Sequence, residues 1–193
     1  MGFLDVLLGR TRSPVPDLPV LFRIPGAAMT LREATGFAPT GTGAVCVRAA
    51  EGAAAERAWT DIRDLLRLDP GTDVRFVADE FGCTWVSCHR DDGDLTTLTT
   101  QLHGVNTTLD EAGLGTSLLC TVTGFVSNPV DGAQRRLGLV HLFSRGTVYP
   151  FAPTAGRQRD TALELQVRAL LGSALPIEPD LGRWFPLWGA PVP

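Results

Sequence analysis

The order of hydrophobic patterns in the middle of this chain limits its possible folds more than any other feature. From residue 44 onward the patterns read strand, helix, strand, strand, helix, strand, which is the order of a ferredoxin-like split β-α-β unit. The six segments lie at 44–49, 53–68, 74–78, 83–89, 94–111 and 117–126. A sheet with one apolar face buries that face by packing helices against it. We therefore predict an α+β fold, an antiparallel sheet with helices on one face.

The predicted unit continues beyond its sixth segment. A β-hairpin is expected over 137–143 and 147–151, and a last helix over 160–171. The helix at 94–111 is the clearest, because five aliphatic residues recur at helical spacing. They are Leu95, Leu98, Leu102, Val105 and Leu109. The fold is thus a ferredoxin-like βαββαβ order extended by a β-hairpin and a C-terminal helix.

Composition divides the chain into four parts. We assign an apolar N-terminal helix to 1–12, a linker with short helices to 13–40, the α+β domain to 41–175 and a Pro/Trp-rich tail to 176–193. Within the second part we expect short helices at 17–22 and 27–35, separated by a break at Pro25-Gly26. Gly41-Thr42-Gly43 precedes a strand, so we interpret it as a turn.

Composition excludes several classes of function. The chain of 193 residues has a net charge of −4, which argues against a nucleic-acid partner. No stretch approaches the roughly 20 apolar residues that span a bilayer, and the N-terminus lacks the pattern of a signal peptide. We expect a cytoplasmic protein, and contact with the inner face of the cell membrane is a second possibility. The four isolated cysteines fit a reducing compartment.

The sequence offers no convincing catalytic, cofactor-binding or metal-ligating group. Cys83 and His89 share one face of a strand but lie about 20 Å apart, and Cys88 points to the other face. One tetrahedral zinc ion could not bind all three. His103 and His141 lack a nucleophile in a recognised motif. We predict structural or surface roles for the histidines and expect no enzyme activity.

One polar stripe on the last helix has two interpretations. Asp160, Glu164 and Arg168 follow i, i+4, i+8 spacing. Paired carboxylates can serve acid–base chemistry, but a solvated face with charge pairs is the more ordinary explanation. We favour the solvated face.

The two ends of the chain are its candidate partner-binding regions. The N-terminal part contributes Phe3, Leu4, Leu7 and Leu8. Burying these four side chains gains about 6–12 kcal/mol, and ordering eight residues costs about 8–16 kcal/mol. The two terms nearly cancel, so the segment can attach only weakly by itself. It either folds back on the domain or binds a membrane surface or a protein groove.

The C-terminal part is the second candidate. Trp184, Phe185 and Trp188 either fill the domain's own core or serve as anchors for a partner, because Trp is enriched at such anchors. Tyr149 and Phe151 share one side of a strand that ends in prolines, and proline favours sheet edges. We therefore predict an exposed aromatic edge that forms one recognition surface with the tail.

Several sequence blocks resemble a known family. They lie at 1–5, 44–46, 102–109, 145–153, 162–168 and 183–191, and the last is Arg-Trp-Phe-Pro-Leu-Trp-Gly-Ala-Pro. Together they are similar to the PspA-associated protein PspAB family along nearly the whole chain. The resemblance implies an actinobacterial accessory protein of a phage-shock-type envelope stress response. It implies association with PspA, a coiled-coil membrane-remodelling protein, and with an HtpX-type membrane metalloprotease, but no established activity and no established active site.

Three hypotheses for function follow. The first is a non-enzymatic adaptor of a PspA-type stress system that binds PspA, the membrane metalloprotease or both. The second is a peptide-binding homodimer like a type III secretion chaperone. The third is an uncharacterised hydrolase, which would require a histidine, a cysteine and an acid in one pocket.

Overall fold

The computed structural model describes residues 17–48, 50–129 and 133–192. Within them, one six-stranded antiparallel sheet holds β1 (Phe37–Arg48), β2 (Asp73–Ala78), β3 (Cys83–His89), β4 (Leu118–Ser127), β5 (Arg136–Leu142) and β6 (Thr147–Phe151). The α-helices are α1 (Ile24–Thr35), α2 (Ala53–Arg67), α3 (Leu95–Leu109) and α4 (Thr161–Leu171). The helix predicted over 1–12 lies outside the described residues.

The sheet has the strand order β2-β3-β1-β4-β5-β6. Its first four strands follow the split β-α-β arrangement, in which β3 lies between β2 and β1. The hairpin of β5 and β6 extends the sheet beside β4. The predicted α+β class and its ferredoxin-like order are therefore confirmed.

The helices pack on one face of the sheet, as predicted. The buried side of α3 presents Leu98, Leu102 and Val105 to the strands, and each is 0% exposed. The helix begins at Asp94, whose carboxylate accepts hydrogen bonds from the backbone N–H groups of Thr96 and Thr97. Such a cap satisfies donors that have no partner within the helix. The core on this side joins all four helices to the sheet.

Strand β1 begins earlier than predicted. It starts at Phe37, and its pairing with β4 shifts register between Pro39 and Gly43. Gly41 has φ +73, and a side chain there would lie 2.2 Å from the carbonyl oxygen of Arg90. The predicted turn at Gly41-Thr42-Gly43 is wrong, because these glycines form a β-bulge inside one long strand.

The first helical segments are also more continuous than predicted. A 3₁₀-helix over Leu18–Arg23 leads directly into α1. Pro25 lies in the first turn of α1, where its missing N–H costs no hydrogen bond. The predicted break at Pro25-Gly26 is therefore wrong, whereas the predicted end at Gly36 is confirmed by its left-handed φ of 75.

The polar stripe of α4 is not the solvated face that we favoured. Asp160 caps the helix and accepts the N–H of Leu163. Glu164 is 2% exposed and accepts hydrogen bonds from the N–H of Ala152 at 2.8 Å and from Nε of Arg159 at 2.9 Å. The pairing with Arg159 compensates for burial of the carboxylate. Glu164 thus connects α4 to the chain just after β6.

The two edges of the sheet differ. At the β6 edge, the N–H of Val148 donates to the carbonyl oxygen of Pro176, and the N–H of Glu178 donates to the carbonyl oxygen of Val148, both at 2.9 Å. At the β2 edge, Asp73 and Arg75 form an exposed ion pair. Among the described residues, no helix is long and apolar enough to cross a bilayer.

Candidate functional site

A cavity of about 450 Å³ lies on the sheet face that the helices leave free. The C-terminal tail, residues 176–192, crosses this face. The cavity opens between the tail, the β2–β3 hairpin and the turn before β6. Its walls are mostly apolar and include Trp85, Leu142 and Leu187. The volume is within the range of ordinary ligand sites, about 300–1,000 Å³.

Three cysteine thiols lie in this cavity. Cys46 of β1 pairs directly with Cys120 of β4 across the sheet, so both side chains project from the same face. The thiol of Cys46 also contacts that of Cys83 on β3. Cys46 and Cys120 are buried, and Cys83 is half-buried.

The environment of Cys46 and Cys83 keeps their thiols protonated. The hydrogen bond with Cys120 raises the pKa of Cys46 well above its usual value, and burial raises it further. Burial raises the pKa of Cys83 to about 11. Because the thiolate is the reactive form, Cys46 and Cys83 are poor nucleophiles at neutral pH. They act as a small apolar lining.

Asp79 holds one wall of the cavity in place. Its carboxylate accepts the N–H of Phe81 at 2.9 Å, the N–H of Cys83 at 2.8 Å and the indole N–H of Trp85 at 2.9 Å. Burial opposes ionisation of Asp79, but these hydrogen bonds prevail and lower its pKa. The ionised carboxylate therefore fixes both the hairpin and the ring of Trp85.

The opposite wall is the tail, which is attached to the sheet by a few specific contacts. The hydroxyl of Tyr149 donates to the carbonyl oxygen of Phe185 at 2.8 Å, and the ring of Tyr149 stacks on Trp184 with centroids 6.0 Å apart. Arg159 donates to the carbonyl oxygen of Trp184. Further along the tail, Val192 is 2% exposed. These contacts hold the backbone of the tail over the sheet.

A buried carboxylate positions the arginine at the rim. Glu178 is 0% exposed and accepts hydrogen bonds from Nε of Arg145 at 2.6 Å and from the hydroxyl of Thr147 at 2.7 Å. Burial opposes ionisation of Glu178, but the hydrogen bonds from Arg145 and Thr147 lower its pKa overall. Arg145 is therefore held at the cavity as a charge-paired residue.

Two phenylalanines stand exposed at the mouth of the cavity. Phe81 on the β2–β3 hairpin is 66% exposed, and Phe185 on the tail is 57% exposed. Both line the cavity. Large apolar side chains at the rim of an apolar cavity are typical of a binding site.

The structure shows that the predicted partner-binding residues of the C-terminal half differ in burial. Tyr149, Phe151 and Trp184 are buried, at 1%, 1% and 6% exposure, so the prediction of an exposed aromatic edge is wrong. The tail, to which Trp184 belongs, covers the strand of Tyr149 and Phe151 and shields these side chains from solvent. Phe185 is exposed, and Trp188 is half-buried with its ring against that of Phe151.

The remaining predicted partner-binding residues are Phe3, Leu4, Leu7 and Leu8. They lie outside the described residues. Their role as contacts stays a prediction.

The other chemical groups considered from sequence lie away from the cavity. Cys88 is buried in the helix-side core, whereas Cys83 faces the cavity. His141 is fully buried, and neither of its ring nitrogens has a hydrogen-bond partner among the described residues. The imidazole of His89 bonds to Thr42. In the part of the chain that the structure describes, no three His, Cys, Asp or Glu residues are arranged to hold a metal ion.

Sequence reasoning missed the thiol cluster and Asp79. Period-two alternation places Cys83 and Trp85 on one strand face, so their common orientation could have been predicted from the sequence. The meeting of Cys46, Cys83 and Cys120 additionally required the strand order and register, which local patterns do not contain.

Comparison with known proteins gives one match. A family model described as PspA associated protein B matches residues 1–192. No curated protein and no solved structure matches the chain.

Proposed function

The chain belongs to the PspA associated protein B family, and from this premise we propose that it is a non-enzymatic adaptor. In this proposal it binds PspA, an HtpX-type membrane metalloprotease or both. It works in envelope stress, at the inner face of the cell membrane. The family description supports the link to PspA, and the cavity supports recognition of an apolar partner.

The observation that carries the proposal is the apolar cavity with Phe81 and Phe185 at its mouth. An amphipathic helix binds a protein groove by placing its apolar stripe into it. Helices of a coiled-coil protein have such a stripe. The aromatic side chains at the rim would cover the partner's anchor residues and exclude water from them.

The chemistry of the cavity favours binding over catalysis. The thiols of Cys46 and Cys83 have raised pKa values. The carboxylate of Asp79 is occupied by three donors, so it is poorly placed to accept a substrate proton. His141 lies on the other face of the sheet. The residues therefore suit recognition of an apolar surface.

Affinity measurements with PspA test the proposal. We expect Phe81→Asp combined with Phe185→Asp to weaken binding about tenfold or more, because each charge would need to be desolvated in the complex. The matched control is Met29→Asp with Leu68→Asp, two other apolar positions that are 66% and 81% exposed. Binding is measured by calorimetry with full-length protein.

Two results would contradict the proposal. One is unchanged affinity of the cavity variant for both PspA and the metalloprotease at an unchanged melting temperature. The other is an equal loss in the control variant, since that would indicate a general charge effect.

A further inference from the structure

The described chain begins close to the cavity. Asp17, its first residue, touches the turn before β6, because a side chain at Gly146 would lie 2.6 Å from the Cβ atom of Asp17. The same turn contributes Ser144 and Arg145 to the lining of the cavity. The described chain therefore begins at the turn that supplies Ser144 and Arg145 to the cavity.

The preceding sequence has the length and composition to enter the cavity. Eight residues, 9–16, separate the apolar segment from Asp17, and an extended chain of that length spans about 26–29 Å. That reach exceeds the roughly 10 Å spacing between two layers packed face to face. The segment itself, residues 3–8, contains Phe3, Leu4, Val6, Leu7 and Leu8.

We propose that the apolar segment 3–8 of the same chain is the resident occupant of this cavity, and that a partner binds by displacing it. Only the second half of this inference rests on the proposed function. The apolar walls around Trp85 and Leu187 match an apolar side-chain stripe. A covalent tether gives the segment an effective concentration in the millimolar range.

The free energy of docking segment 3–8 is expected to be small, so a partner can displace it. Burial of four large apolar side chains gains about 6–12 kcal/mol, which is close to the conformational cost of ordering eight residues, about 8–16 kcal/mol. A tethered segment with such a balance protects the cavity from water and from unrelated apolar surfaces. A partner with a preformed helix loses less entropy on binding, so it can replace the segment. The released segment is then available to a membrane surface.

Disulfide equilibria in the full-length chain test the occupancy. Leu7→Cys is combined with Phe185→Cys at the mouth, and in the matched control with Met29→Cys, an exposed position on α1. Each pair is equilibrated in a glutathione buffer, and the effective concentration is obtained from the fraction of intramolecular disulfide, located by peptide mass spectrometry. The melting temperature of each reduced protein confirms that it is folded.

Occupancy predicts an effective concentration at least tenfold higher for the Phe185→Cys pair. Met29 is the nearer position along the chain, so a freely fluctuating tether would instead favour the control pair. Adding Leu4→Asp should lower the value to that of the control. Equal values, no response to Leu4→Asp, or a disulfide between two molecules would overturn the inference.

Addition of PspA separates this inference from the proposed function. Saturating PspA should lower the effective concentration of the Phe185→Cys pair, and an unchanged value would overturn displacement. If PspA and the metalloprotease both fail to respond to the Phe81→Asp and Phe185→Asp variant, the proposed function fails. The disulfide measured without a partner still decides occupancy.

Discussion

The two faces of the sheet are covered in different ways. On one face, four helices bury a continuous core that includes Leu98, Leu102 and Ile62. On the other face, an irregular tail covers a smaller cluster around Tyr149 and Trp184. A helix satisfies its own backbone hydrogen bonds, whereas the tail depends on individual donors and acceptors in the sheet.

This difference shows where the domain can accommodate binding. The helix-side core is closed, so a change there affects the whole fold. The tail side leaves an open cavity between its few attachment points. Ligand-binding segments commonly lie in the regions of a protein that have the lowest local stability. The tail side is therefore the face on which variation changes recognition before it changes folding.

The largest effect is expected for Leu102→Ala on the helix side. Leu102 is 0% exposed, and truncation of such a leucine costs about 2–5 kcal/mol. Urea denaturation should show one cooperative transition at a lower midpoint with an unchanged slope. A loss below 1 kcal/mol would contradict the description of this face as closely packed.

A smaller effect is expected for Trp184→Ala on the tail side. A buried Trp→Ala change ordinarily lowers the free energy of unfolding by about 3–5 kcal/mol. Here we expect a loss of about 1–3 kcal/mol, because the tail can detach locally and the substitution then leaves no enclosed cavity behind. Hydrogen exchange should accelerate in 176–192 and remain slow in α3. Equal acceleration in both would show that the two faces unfold together.

The pH dependence of stability distinguishes the faces further. Burial lowers the pKa of His141 from 6.5 to about 4, so the unfolded chain takes up a proton in this range that the folded chain does not. Stability is full above about pH 6.5 and falls as the pH decreases towards 4, by at most about 3 kcal/mol. His141→Leu should flatten this dependence.

The control for the pH measurement is His103→Gln. Partial burial also lowers the pKa of His103, but this side chain is half-buried, so a smaller change in slope is expected. Urea titrations at several pH values between 4.5 and 6.5 provide the comparison. Equal flattening by both variants would contradict the role given to His141.

The smallest effect is expected for Tyr149→Phe. The substitution keeps the stacked ring and removes only the hydrogen bond to the carbonyl oxygen of Phe185, which is worth about 0.5–1.5 kcal/mol. Thermal unfolding should shift slightly, and proteolysis should cleave near Phe185 more rapidly. An unchanged cleavage rate would mean that stacking alone holds the tail.

The helix-side architecture could be predicted from sequence because its signals are local. The apolar spacing of α3 and the alternation along β3 each depend on a few neighbouring residues. The order βαββαβ then leaves few ways to arrange four strands. The bulge at Gly41 was missed because a glycine pair before a strand resembles a turn.

The tail side could not be predicted in the same way. Trp184 and Phe185 are neighbours in sequence, but one is buried and the other is exposed, and no periodicity distinguishes them. The contact between Cys46 and Cys120 depends on the register of strands that are distant along the chain. The burial of Glu164 likewise depends on Arg159 and the backbone of Ala152. Each is a tertiary contact without a local pattern.

The closed edge at β6 limits how copies of this sheet can associate. Backbone groups of Val148 are already bonded to Pro176 and Glu178, so a further strand cannot pair at this residue. Within the six-stranded sheet of the described residues, the β2 edge with Asp73 and Arg75 is the one left open to a strand from outside. Edge-to-edge association of this sheet would join two β2 strands and stop at two copies. The tail thereby disfavours growth of a continuous fibre by strand addition at β6.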